Sequence, residues 1–443
     1  MQNQGIRDAR SLGTPKLLVL GLQHMFAMFG ATVLVPALTG LSVSATLLFA
    51  GLGTLFFHFL TKGKVPAFLG SSFAYLAGYA AIAPNGEAAL LPYACVGVAA
   101  SGLLYLILAA LVRGFGANRV MRFFPPVVTG PIIICIGMTL ANSAINNCTG
   151  SWDIALVAII TVVVFNIWGK GMLRIIPILL GVLVSYVYAA VTGRVDFSGV
   201  ASAAWIGLPV KMENTVFSLI GNCDANLLVT AIIAIMPIAF ATMIEHIGDI
   251  CAISSTVGAN FIADPGLHRT LLGDGLATSI ASLFGAPANT TYGENTGVLA
   301  LTRVYDPLVI RLAAVYAIIA SFCPKFAALV SAMPTGTIGG VSLILYGMIS
   351  AIGVRNLVEN QVDLSKSRNV IVVSLIISLA LGITFSAAGA ITFHIGEFTL
   401  NFSGLAVAAI VGIVVNAILP GKDYNFQNDY EYGKTTEDHG QML

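Results

Sequence analysis

Long apolar runs, separated by short stretches rich in Gly, Pro and charged residues, recur along the chain at the length needed to cross a bilayer. A hydrocarbon core of ~30 Å takes about 20 mostly apolar helical residues. Runs that fit fall at approximately 17–37, 43–61, 65–84, 88–112, 125–147, 152–169, 175–193, 226–252, 267–285, 287–302, 306–329, 335–354, 369–388 and 401–420. The pattern predicts an all-α polytopic membrane protein with fourteen spans. Two spans are irregular: VPAFLGSSFAYLAG (65–78) and APANTTYGENTGVLALT (286–302) are short and interrupted by Gly, Ser, Thr and Asn. The first run follows MQNQGIRDARSLGTPK without a small-residue cleavage site, so it reads as a span and not as a removed leader.

The basic residues give the runs a direction. With the N-terminus placed in the cytoplasm, nearly every Lys and Arg falls in an inside segment, and only Arg194, Lys211 and Lys325 fall outside. Both termini are then cytoplasmic. The longest polar connection divides the chain into a cytoplasmic N-terminus (1–15), a first seven-span repeat (16–193), an external connection (194–225), a second seven-span repeat (226–420) and a polar cytoplasmic tail (421–443) expected to be disordered. Seven is odd, so the second half enters the membrane in the opposite sense to the first. That is the arithmetic of a 7+7 inverted repeat, a ground plan of secondary transporters. The two irregular spans are then spans 3 and 10, at matching positions in the two halves, which points to a binding site near the midplane.

Composition agrees with this picture and excludes a soluble one. Of 443 residues 57% are hydrophobic and 9% charged, with mean hydropathy +0.91, against about 25% charged in an ordinary soluble domain. A net charge of +1 gives no field that would attract nucleic acid. The six cysteines form no CxxC or repeated spacing, so they read as packing residues, with neither a metal site nor a disulfide framework. There is no HExxH or GxSxG, which argues against an intramembrane enzyme.

Against so little charge, acids at membrane depth stand out, since each costs roughly 3 kcal/mol or more there. Glu245 and Asp249, in IAFATMIEHIGDICAI, are spaced i, i+4 and share one helix face. Two like charges one turn apart in a low dielectric do not both stay ionised, as a proton carrier requires. Glu294 lies in the second interrupted span. His24 stands about a third of the way into the first span, where a structural hydrogen bond and a part in proton transfer are equally open readings. His246 points about 100° away from Glu245 and reads as a packed or interface residue. His58 and Asp274 read as residues of an interface or a helix cap. Phe73 and Tyr292 flank the two interruptions, where they stand either in the core or against a planar ligand.

The segment ENTGVLALTR (294–303) fits the signature of the nucleobase/ascorbate transporter family, also called nucleobase cation symporter family 2. QHMFAMFGATVLVP (23–36), KVPAFLGSSFAY (64–75), DPGLHR (264–269), NTTYGEN (289–295) and GGVSLILYG (339–347) resemble its uracil-transporting members. The resemblance runs from about Lys16 to Pro420. It implies short antiparallel strands in spans 3 and 10, a core domain of spans 1–4 and 8–11, a gate domain of spans 5–7 and 12–14, and a homodimer in the bacterial inner membrane. It further implies a proton-coupled importer of uracil or a related nucleobase, working by alternating access and needing no cofactor beyond the co-transported proton. On the matching positions, Glu245 would accept from the uracil ring nitrogen. Phe73 and the backbone around Tyr292 and Gly293 would line the pyrimidine, and Tyr346 would stand beside it. Glu294, near Ala31 and Ser71, would be central to binding and coupling. Proton-coupling candidates are therefore Glu245, Asp249, Glu294 and His24. Asp249 departs from the pattern, since the best-known uracil-transporting member has His there and Asp is typical of purine-transporting relatives. A purine (xanthine or urate) symporter is thus the nearest alternative, with an anion transporter or channel further off.

Overall fold

In the computed structural model the described residues are 5–395 and 398–421, excluding the side chains of residues 172, 175, 294 and 394–401. The expected tail therefore lies outside the described residues from 422 onward.

The chain runs α1 (Thr14–Thr39), α2 (Val43–Leu60), β1 (Leu69–Ser71), α3 (Leu76–Ile82), α4 (Leu91–Phe115), α5 (Pro126–Cys148), α6 (Trp152–Trp168) and α7 (Pro177–Val191). After a connection of short helical turns come α8 (Ala225–Val257), α9 (Leu267–Leu283), β2 (Asn289–Thr291), α10 (Gly293–Thr302) and α11 (Pro307–Ser321). The last elements are α12 (Thr335–Glu359), α13 (Ser367–Thr384), β3 (Ala390–Ile395), β4 (Phe398–Ser403) and α14 (Gly404–Ile418). Several helix starts are set by side-chain caps. Ser42 accepts from Ala45 N, Asp224 from Asn226 N and Leu227 N, Asp306 from Leu308 N, and Ser403 from Ala406 N.

Length and apolarity alone qualify α1, α2, α4, α5, α8, α12 and α13 as membrane-crossing helices, and α11 with its continuation Pro324–Ser331 makes an eighth. The segments Phe73–Ile82, Trp152–Trp168, Pro177–Val191 and Gly404–Ile418 are apolar but shorter. Helices α9 and α10 meet neither measure, so the count of fourteen does not follow from helix length and hydropathy. The apolar run 306–329 does not form one straight span: its two helices meet at 88°, because Pro324 lacks the N–H that a continuing helix needs. The β3–β4 hairpin, with Ala390 opposite Ser403 and Ile395 opposite Phe398, was not legible. Six alternating residues are averaged away by a window set to helix length.

The packing has a regular pattern. Helix α4 lies along α9, and α2 along α11; α6 packs on α7, and α13 on α14; α5 crosses α12. Small residues allow the last crossing, where a Cβ at Gly137 would stand 2.2 Å from Tyr346 O and one at Gly353 2.6 Å from Gly130 O. Pro237 breaks α8 into a 3₁₀ turn at Met236–Ile238. Ser101 Oγ of α4 reaches the carbonyls of Ile235 and Met236 there, at 3.4 Å each.

Candidate functional site

The two interrupted segments meet in the interior. Strands β1 and β2 pair antiparallel, with Leu69 opposite Thr291, Gly70 opposite Thr290 and Ser71 opposite Asn289. Ser72 N donates to Ala288 O (2.8 Å) and Tyr292 N to Phe68 O (3.0 Å), extending the ladder at each end. Non-helical backbone is tolerated at membrane depth only where its polar groups are satisfied, and the flanking helices do this for the outer edges. Thr54 Oγ1 of α2 accepts from Leu69 N at 2.9 Å, Thr278 Oγ1 of α9 donates to Asn289 O at 2.6 Å, and Ser71 Oγ donates to Thr32 O of α1 at 2.8 Å. The ribbon is thereby fixed, and each strand leads directly into helical turns. Helix α10 starts at Gly293, so Glu294 occupies its first turn and does not precede it, a position that suits an acid next to the positive helix end. The side chain of Glu294 lies outside the described residues.

Helix α8 passes alongside. It places Thr242, Glu245, His246 and Asp249 on adjoining turns, with Glu245 and Asp249 half-buried and Thr242 and His246 buried. Asp249 is joined to the ribbon, because Thr291 Oγ1 donates to its Oδ2 at 2.8 Å. Thr291 Oγ1 also lies 3.4 Å from His246 Nδ1. Above this level Tyr75 OH meets Thr242 Oγ1 at 3.3 Å.

The remaining expected site residues fall around the same ribbon. Phe73 is buried and stands edge-on to Tyr346 of α12, with ring centroids 5.7 Å apart. The Tyr292 ring packs against Gly70, where a Cβ would come within 2.5 Å of it, and its hydroxyl donates to Ser71 O at 2.8 Å. Tyr292 therefore braces β1 through its side chain. Gly293 lies beside Asp249, whose Oδ1 would be 3.9 Å from a Cβ at that position. His24 is fully buried. Asn295 Nδ2 donates to His24 O at 3.1 Å and lies 3.2 Å from His24 Nδ1, which ties α1 to α10 next to Glu294. Ala31 is buried one residue before Thr32.

Three placements differ from the sequence reading or add to it. His58 is enclosed by protein: it is 3% exposed, its Nε2 lies 2.9 Å from Ala67 O, and Arg311 Nε donates to its Nδ1 at 3.4 Å. Asp274 does not cap a helix; it is fully buried in the middle of α9, with His246 Nδ1 3.4 Å from its Oδ2. Thr291 and Asn295 were not singled out from sequence. The i, i+3 spacing of His246 and Asp249 was the available signal that the two share a flank of α8. Among the described residues no group of three His, Cys, Asp or Glu is arranged to hold a metal ion.

An apolar helical bundle closed around two facing interruptions, with carboxylates beside them, defines a multi-pass membrane transporter. The same fold is found in the transmembrane domain of the cyanobacterial bicarbonate transporter BicA (TM-score 0.62, 13% identity, 94% of this chain and 100% of that one). It is found too in the murine anion transporter Slc26a9 in its inward-facing state (TM-score 0.61, 11% identity, 91% and 67%). The chain belongs to the permease family Xan_ur_permease, whose model matches residues 15–389. Its relatives include the uracil permeases of Bacillus caldolyticus (42% identical, covering 96% of each chain), Bacillus subtilis strain 168 (39%; 99% of this chain, 98% of that one) and Escherichia coli K12 (38%; 90% of each). It is a nucleobase transporter and not an enzyme.

Proposed function

We propose that the protein is a proton-coupled importer of uracil that works by alternating access. The observation that carries this reading is the junction of β1 and β2 beside the acidic face of α8, in a chain about 40% identical to uracil permeases over nearly its full length. Uracil is planar, with two N–H donors and two carbonyl acceptors. A carboxylate on α8 accepts from a ring N–H, and the N–H groups at the start of α10, which the Tyr292 side chain does not cap, donate to a carbonyl, with the helix dipole in favourable sense. In this reading Glu245 takes the ring nitrogen, Phe73 and Tyr346 border the ring, the Tyr292–Gly293 backbone lines it, and Glu294 links binding to the proton. Asp249 is a second proton carrier. His24 fixes the Glu294 turn through Asn295.

Movement of this kind needs two bodies. We assign spans 1–4 and 8–11 to a core and spans 5–7 and 12–14 to a gate, within a fourteen-span 7+7 inverted repeat with both termini cytoplasmic in a bacterial inner membrane, and as a homodimer. The packing supports the repeat. Exchanging each helix with the one seven places along turns the α4–α9 contact into α11–α2 and α6–α7 into α13–α14, and leaves α5–α12 unchanged. The hydrogen bonds follow the same exchange, since Thr54 Oγ1 of α2 donates to Leu69 O at 3.3 Å as Thr278 Oγ1 of α9 donates to Asn289 O at 2.6 Å.

Uptake of labelled uracil into proteoliposomes tests the reading. An inward proton gradient is expected to drive accumulation and an uncoupler to abolish it; accumulation indifferent to the uncoupler would exclude symport. A purine symporter is the second reading, favoured by the carboxylate at Asp249. It predicts that xanthine or urate competes with uracil at equal concentration. Two acids at the site weigh against an anion as cargo, because they repel it unless protonated.

A further inference from the structure

One fully buried acid, Asp274 of α9, takes no part in the contacts proposed above. Asp274 and His246 are each 0% exposed, with Oδ2 and Nδ1 3.4 Å apart. Their enclosure is built from three helices. Glycines flank the acid on α9: a Cβ at Gly273 would stand 2.8 Å from Phe57 Cδ2 of α2, and one at Gly275 2.3 Å from Tyr105 Cβ of α4. The same two aromatic residues stand edge-on to the His246 ring, with centroids 6.3 and 6.5 Å away at 76° and 71°. Burying such a pair is costly, and apolar residues of similar volume often serve stability as well or better. A reason for the pair is therefore to be sought in what it touches.

Among the described residues the polar side chain that joins this pair to the ribbon is Thr291, whose Oγ1 is 3.4 Å from His246 Nδ1 and 2.8 Å from Asp249 Oδ2. A hydroxyl has one proton to give, and an ionised carboxylate can only accept. While Asp249 is ionised, Thr291 gives its proton to it, so toward His246 it accepts, and His246 Nδ1 carries the hydrogen. Asp274 Oδ2 stands 3.4 Å from that nitrogen without a hydrogen bond to it, and its negative charge favours the hydrogen on Nδ1 over the one on Nε2. The field of the buried carboxylate thus favours one imidazole tautomer, the tautomer turns the hydroxyl toward Asp249, and the hydroxyl holds Asp249 Oδ2. Asp249 Oδ1 is left beside Gly293, the first residue of α10.

We propose that His246 and Asp274 are a positioning pair that acts through Thr291 to set the orientation of Asp249 against the start of α10. The proposal rests on the nucleobase-transport reading and names a part of the site which that reading leaves unassigned. Equilibrium binding of radiolabelled nucleobases to the purified full chain tests it. Asp274→Asn keeps the volume and removes the negative charge, and Thr291→Val keeps the shape and removes the hydroxyl. Each is expected to weaken uracil binding about tenfold, and the double variant to bind no worse than the weaker single, because both break one link. Thr291→Ser restores the hydroxyl and is expected to restore affinity, which a purely packing role for residue 291 does not predict. If Asp274→Asn does not fold, His246→Gln takes its place in the cycle. Binding by Thr291→Val equal to wild type, or losses that multiply in the double variant, overturns the proposal. A wild-type protein that binds xanthine and not uracil overturns the uracil reading alone, and the cycle is then read with xanthine. One that binds no nucleobase overturns both.

Discussion

At the residue scale, scarcity of charge made the candidate site residues stand out. Glu245 and Asp249 stood out because a carboxylate in a span is expensive, and the i, i+4 spacing put them on one face. Their partners carried no such signal. Thr291 is one of several hydroxyls in an interrupted segment, and its link to Asp249 exists only because β2 folds beside α8. Tyr292 illustrates the same limit: its proximity to the break was legible, but the packing of its ring on Gly70 was not. Glu245→Ala removes the proposed acceptor for a ring N–H. A hydrogen bond to a charged group is worth about 1.5–3 kcal/mol, so uracil affinity is expected to fall at least roughly tenfold, as measured by scintillation proximity on purified protein. Normal affinity in this variant would move the substrate away from α8.

At the element scale, hydropathy located the helices and misjudged what lies between them. The interruptions at 65–78 and 286–302 were readable as breaks because Gly, Ser, Thr and Asn displace apolar residues there. That each contains a strand of three residues, and that the strands pair with each other across more than two hundred positions, is a tertiary fact. The ribbon is held by close contacts with α2. A Cβ at Gly53 would stand 2.3 Å from Asn289 Nδ2, while Asn289 donates to Phe49 O at 2.8 Å. Gly53→Ala and Asn289→Ala are each expected to lower the thermal midpoint of the detergent-solubilised protein. A buried hydrogen bond lost at Asn289 costs about 1–3 kcal/mol. The two changes are coupled, because removing the Asn289 amide also removes what the new methyl strikes. The double variant is therefore expected to be more stable than the sum of the singles implies. Additive losses would mean that the glycine answers to another neighbour.

At the scale of the whole molecule, the bias of Lys and Arg to one side and the contact pattern under a seven-place exchange are independent observations, one electrostatic and one of packing, and they support the same topology. Helix length alone does not reach it, because α9 and α10 are too short or too polar to qualify, although α9 carries Asp274 and α10 begins beside Asp249. Elements that build a site inside a membrane are the ones that a search for apolar length scores lowest. The topology has a test that uses the native cysteines. Cys95, Cys135 and Cys148 are buried, Cys251 and Cys323 are half-buried, and Cys223 is exposed in the connection that the charge bias puts outside. Thiols react as accessible thiolates, so a membrane-impermeant maleimide added to intact cells is expected to label the protein at Cys223, and Cys223→Ser to remove most of that labelling. If the connection faced the cytoplasm, Cys223 would react only after the membrane was opened. That result would invert every span, place both termini outside and leave most of the basic residues on the wrong side.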